Sequence, residues 1–99
     1  MPLSSTECKP YRIYALIDPT TKVAYYVGQT ANLLGFRLRD HVRKHSNTRK
    51  GMWVRTLLDA GQEPQIVLLE EFSGYRSQAY ERESFWIKRL RSEGHPLLN

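Results

Sequence analysis

Apolar and polar positions along this chain fall into six patterned blocks. From Tyr11 to Ile17 and from Val23 to Gln29, β-prone residues flank the turn-rich Asp18-Pro19-Thr20-Thr21-Lys22. That arrangement predicts a β-hairpin closed by a loop of about five residues. With Thr20 at the centre of the turn, Tyr14 lies opposite Tyr26 and both phenols project from one face, while Tyr25 points to the other. Gly28 follows, leaving room for a backbone or a phosphate to come close.

The next blocks have helical spacing. Between Asn32 and His45, Leu34, Leu38 and Val42 share one side of a helix. Asn47 to Gly51 reads as a polar loop. Met52 to Ala60 reads as a short helix with Trp53, Leu57 and Ala60 on one face and Gly61 as its C-cap. The apolar run Gln65-Ile66-Val67-Leu68-Leu69, within Pro64 to Glu70, suits a central strand and is too short for a helix. Tyr75 to Arg91 forms the last helix, with an apolar stripe of Ala79, Tyr80, Trp86, Ile87 and Leu90. Trp53, Phe72, Phe85 and Trp86 occupy core-like positions. The order β-β-α-α-β-α predicts an α+β fold, a small, mostly antiparallel three-stranded sheet flanked by helices.

Polar residues interrupt two of these stripes. Glu83 sits in the middle of the apolar stripe of the last helix, where a carboxylate loses hydration worth several kcal/mol unless a cation, a metal or hydrogen-bond donors replace the water. Arg37 and His41, four apart, share much of the apolar side of the first helix. The alternative to a functional cluster is a structural ion pair between Glu83 and Arg37 beside a satisfied, buried His41.

Charge and length narrow the classes. Ninety-nine residues with 40% hydrophobic content predict one domain over 11–99, preceded by a flexible polar tail over 1–10 that has no apolar signal-like region. No apolar run approaches the roughly 20 residues needed to cross a bilayer, so a cytoplasmic protein is the default expectation. Cys8 is the one cysteine, which excludes an internal disulfide and a cysteine-based zinc site; the histidines lack zinc spacing. The net charge of +5 is concentrated: residues 37–55 hold seven Lys and Arg against Asp40 alone. Arg39, Arg43, Lys44, Arg49 and Lys50 make a candidate polyanion-binding face, although by itself such a run is as consistent with a solvated surface.

Taken in order, Arg12-Ile13-Tyr14, Tyr26-Val27-Gly28, Arg37 with His41, Glu83 within Glu-Arg-Glu-Ser-Phe-Trp-Ile, and Asn99 resemble the GIY-YIG nuclease family across Tyr11 to Asn99. The resemblance implies a metal-dependent endonuclease that hydrolyses DNA phosphodiester bonds. Its catalytic residues would be Tyr14, Tyr26, Arg37, His41 and Glu83, with Gly28 and a buried Asn99 as structural supports. Glu83 would hold one Mg²⁺, for which Mn²⁺ can substitute, and no organic cofactor is implied. Tyr14 is the favoured base, with His41 accepting or orienting its proton, and His41 as direct base is the other possibility. DNA becomes the favoured partner of the basic face, and a dimer or a partner protein would supply specificity.

Three departures from the family pattern stand out. Arg12 occupies the place of the first glycine, Gln29 that of a lysine that often follows the second tripeptide, and Arg37 comes one position late. Arg39 is therefore a rival for the arginine role. It points about 200° away from His41 on a helix, whereas Arg37 lies one turn from it. A non-catalytic nucleic-acid-binding module that kept the fold is the alternative function. It would need the basic face but not Glu83, which repels phosphate when no metal is bound.

Overall fold

A computed structural model describes residues 8–99. Its elements are β1 (Lys9–Ile17), β2 (Ala24–Thr30), α1 (Leu34–Arg43), α2 (Arg49–Asp59), β3 (Gln65–Gly74) and α3 (Arg76–Ser92). The three strands form one antiparallel sheet in the order β2-β1-β3, so the expected α+β class and element order are those observed. Most of the tail expected over 1–10 lies outside the described residues. Lys9 and Pro10 already pair with Gly74 and Ser73, so β1 starts before Tyr11.

β1 is the central strand, and Ile13, Tyr14 and Leu16 are all 0% exposed. On one face Ile13 and Ala15 join Ala24, Val27, Leu90 and Leu97, with Trp86 and Ile87 of α3 packed against them. The opposite face carries Tyr14 toward α1. The run over Gln65–Leu69, expected at the centre, is an edge strand: Val67 and Leu68 are 38% and 46% exposed. An apolar run signals a strand but carries no information about which neighbours complete its ladder.

The hairpin turns one residue later than expected. Asp18 accepts hydrogen bonds on its side chain from the backbone N–H groups of Thr20 (2.7 Å) and Thr21 (3.0 Å), and Lys22 takes a left-handed φ of 64°. Tyr14 therefore faces Gly28, and Tyr26 faces Leu16. A slip of two residues keeps every side chain on its face, so Tyr14 and Tyr26 remain neighbours diagonally. The register shifts again between Leu16 and Ile17, which leaves Tyr25 as the extra residue of a bulge, stacked on Trp53 at 4.8 Å.

Two helices also depart from expectation, α2 in where it starts and α3 in which side chains it buries. α2 starts at Arg49 because Thr48 caps it, its hydroxyl accepting from the Gly51 N–H at 3.0 Å. Lys50 and Gly51 are thus helical, not loop. The other end behaves as expected: Gly61 has φ 74°, and the N–H groups of Gly61 and Gln62 bond the Leu58 and Leu57 carbonyls. Ala60, however, is exposed. In α3, Ala79, Trp86, Ile87 and Leu90 turn inward, while Tyr80 and Phe85 are 50% and 41% exposed. Phe85 lies on the outer side under the Arg82 guanidinium, 4.2 Å from its ring centre, and is not a packing residue. Trp86 instead donates from its indole to Glu70 of β3, which also binds Arg82.

Candidate active site

Four elements converge beside Tyr14. Arg37 and His41 lie on successive turns of α1, so both side chains descend on the same strip of sheet. The Tyr14 hydroxyl is 2.7 Å from His41 Nε2, and Arg37 Nε donates to the same oxygen at 3.2 Å. Tyr26 lies beside them, its ring centre 6.5 Å from that of Tyr14 and 5.4 Å from that of His41. Gly28 makes the cluster possible. A Cβ at that position would fall on the Tyr14 hydroxyl, so the space expected for a backbone or a phosphate is taken by Tyr14 itself.

The electrostatics follow from burial. Desolvation pushes the Tyr14 phenol up to about 12, with Arg37 opposing the rise and Tyr26 and Glu83 adding to it. Tyr26 is also raised, chiefly by burial and then by the Glu83 charge. His41, 3% exposed, is driven down to about 4 by burial and by the charges of Lys50 and Arg37, with Asp40 opposing, so its imidazole is neutral at pH 7. Glu83 is half-buried on the inner side of α3, and desolvation raises its pKa. The structural ion pair with Arg37 is not formed: the nearest carboxylate to Arg37 is that of Asp40, at 3.8 Å, and no ion pair among the described residues includes Glu83.

The remaining expected residues divide. Arg39 points away from the cluster and lies 5.9 Å from the Phe36 ring centre, as its helical phase predicts. Arg43, Lys44 and Arg49 are exposed. Lys50 does not belong with them. It is half-buried, its ammonium donates to His41 Nδ1 at 2.9 Å, and it lies 5.3 Å from the Tyr26 ring centre. Lys50 is thus a site residue that reading the segment as a loop hides. Thr48 as a helix cap was the available signal, because a helix begun there carries Lys50 toward α1. Asn99 is exposed rather than buried, yet its side chain accepts from the Val27 N–H (2.9 Å) and donates to the Val27 carbonyl (2.6 Å). Arg12 holds Glu71 of β3 at 2.8 Å, a structural use of the position where the family pattern has glycine.

A small antiparallel sheet bearing a Tyr–His–Arg cluster, with a carboxylate on the closing helix whose charge reaches both phenols, defines a catalytic domain suited to phosphate chemistry. The family model of the GIY-YIG catalytic domain matches residues 10–95, and the chain belongs to that family, which is a nuclease family. No curated protein and no solved structure matches the chain significantly. No helix among the described residues is long and apolar enough to cross a membrane.

Proposed function

We propose that this protein is a Mg²⁺-dependent endonuclease that hydrolyses phosphodiester bonds in DNA. The observation that carries the reading is the double hydrogen bonding of the Tyr14 hydroxyl by Arg37 and His41, within range of the charge of a half-buried Glu83 that has no ion-pair partner among the described residues. A metal would have Glu83 as its protein anchor, since the charge of that carboxylate reaches both Tyr14 and Tyr26. The fit is chemical. A hard cation that keeps most of its own water needs one carboxylate, and a desolvated carboxylate gains from a cation. When bound, Mg²⁺ would supply charge to the phosphate and to the leaving oxygen.

The chain's own residues divide the remaining work. Arg37 Nη2, and Nη1 on leaving its 3.8 Å pairing with Asp40, bind the scissile phosphate while Nε holds Tyr14. Tyr14 first gives its own proton to bulk water, a loss that the Arg37 charge favours and that a metal at Glu83 would favour further. As phenolate it takes the proton of the attacking water; the P–O bond to that water forms as the bond to the leaving oxygen breaks, and the leaving alkoxide takes a proton from solvent. Tyr26 positions water or phosphate beside it. The exposed Arg39, Arg43, Lys44 and Arg49 bind flanking phosphates without reading sequence. The test is incubation of the purified chain with Mg²⁺ and a panel of linear, nicked, branched and single-stranded DNA, with an RNA control. Mg²⁺-dependent nicking abolished by EDTA is expected, whereas tight binding without cleavage would assign the chain to non-catalytic binding.

A further inference from the structure

We propose that Lys50 fixes the tautomer of His41, turning an Nε2–H toward the Tyr14 oxygen, so that in the reaction His41 orients Tyr14 instead of taking its proton. The second half of this inference rests on the proposed nuclease reading; the first half does not. A lysine ammonium has three donors and no acceptor, and a neutral imidazole has one of each. Lys50 Nζ lies 2.9 Å from His41 Nδ1, so Nδ1 is the acceptor and the ring hydrogen sits on Nε2. Nε2 is 2.7 Å from the Tyr14 oxygen, which also receives Arg37 Nε–H at 3.2 Å. Two donors then occupy both lone pairs of the phenol oxygen, and its own hydrogen must point elsewhere. Tyr14 cannot hand its proton to His41 in this arrangement, and the two donors hold its oxygen in one orientation.

Local structure holds Lys50 in this role. The Thr48 cap starts α2 two residues earlier, and a Cβ on the next residue, Gly51, would collide with the Ser46 carbonyl, so the backbone after Lys50 packs directly on the loop from α1. The Tyr26 ring face covers the ammonium. The charged and titratable groups facing His41 are Lys50 from α2, Arg37 and Asp40 from α1, Tyr14 from β1 and Tyr26 from β2. Asp40 alone among them favours an imidazolium, and His41 stays neutral at pH 7. A neutral ring is what gives the tautomer meaning.

The deciding measurement is the imidazole nitrogen spectrum of His41 in uniformly ¹⁵N-labelled protein at pH 7, by long-range ¹H–¹⁵N correlation, for the wild type and for Lys50→Met, which keeps most of the aliphatic stem and loses the donor. The wild type should show a protonated Nε2 and a bare Nδ1, and Lys50→Met should show mixed tautomers. A protonated Nδ1 in the wild type, or an unchanged pattern in Lys50→Met, overturns the proposal. Cleavage is not required for this readout, so it stands apart from success or failure of the nuclease reading, and the wild-type spectrum decides even if the variant folds poorly. On an active enzyme, Lys50→Met should lower kcat by about tenfold or more with the salt dependence of DNA binding unchanged. An intact kcat with a flatter salt dependence would put Lys50 on a phosphate and overturn the positioning role.

Discussion

Glu83 is half-buried and has no ion-pair partner among the described residues, and that combination gives opposite signs for stability and activity. Its desolvated charge costs the fold free energy, as the raised pKa records. Glu83→Gln should therefore melt at or above the wild-type temperature in metal-free buffer while losing Mg²⁺-dependent cleavage. A lower Tm with normal cleavage would show that the carboxylate serves packing. At Tyr14 both quantities fall together. Tyr14→Phe leaves His41 Nε2 and Arg37 Nε without their shared acceptor, which costs about 1–3 kcal/mol in a buried site. It should lower turnover by about 10²–10⁴-fold with little change in binding. Tyr25→Phe should be silent in both, because its ring stacks on Trp53 and the hydrogen bonds of the cluster join Tyr14, Arg37, His41 and Lys50 without it. Equal losses at Tyr14 and Tyr25 would overturn the assignment of the base.

At the scale of elements, what was legible is what depends on nearby residues. The hairpin, the helical phase that separates Arg37 from Arg39, and the inward set of Glu83 follow from spacings of two, three and four, and the structure has all three. The edge position of β3 was not legible, since strand order is settled by pairing between residues some fifty positions apart, such as Tyr14 with Leu68. Lys50 escaped for a different reason: one cap residue moved a helix start and carried a lysine from the expected phosphate face into the site. The basic face is correspondingly smaller. Replacing Arg43, Lys44 and Arg49 with alanine should flatten the log–log salt dependence of DNA binding by roughly 0.7–0.9 for each phosphate no longer neutralised, alike for every sequence tested. An unchanged slope would place the nucleic acid elsewhere.

At the scale of the whole molecule, the site depends on how the C-terminal segment closes the sheet. The free edge of β2 is covered by residues 95–99: Ala24 N–H donates to His95 Nδ1 (3.0 Å), Leu98 N–H to the Tyr25 carbonyl (2.7 Å), and the Asn99 amide satisfies both backbone groups of Val27. β2 carries Tyr26 and Gly28, so this strap and the buried cluster on the sheet's other side belong to one folding unit, and global stability should report on the cluster. His41 supplies the pH signature. Its pKa is 6.5 ordinarily and about 4 in the fold, so the unfolded chain binds the proton more readily. The stability contributed by keeping His41 neutral is complete above pH 6.5 and is lost as pH falls toward 4, on the order of a few kcal/mol. Tyr14, held at about 12, acts at the other end: its contribution is complete below pH 10 and fades as pH rises toward 12. Glu70 and Asp18, whose pKa values are lowered from 4.5 and 3.8, begin to weaken the fold only as pH falls through those values, at the acid end of the His41 window. Urea unfolding between pH 4 and 8 should therefore show a steep loss below pH 6.5 in the wild type and a nearly flat profile down to about pH 4.5 in His41→Gln. An equally steep acid limb in the variant would assign the loss to other groups and would remove His41 as the buried neutral imidazole of the cluster.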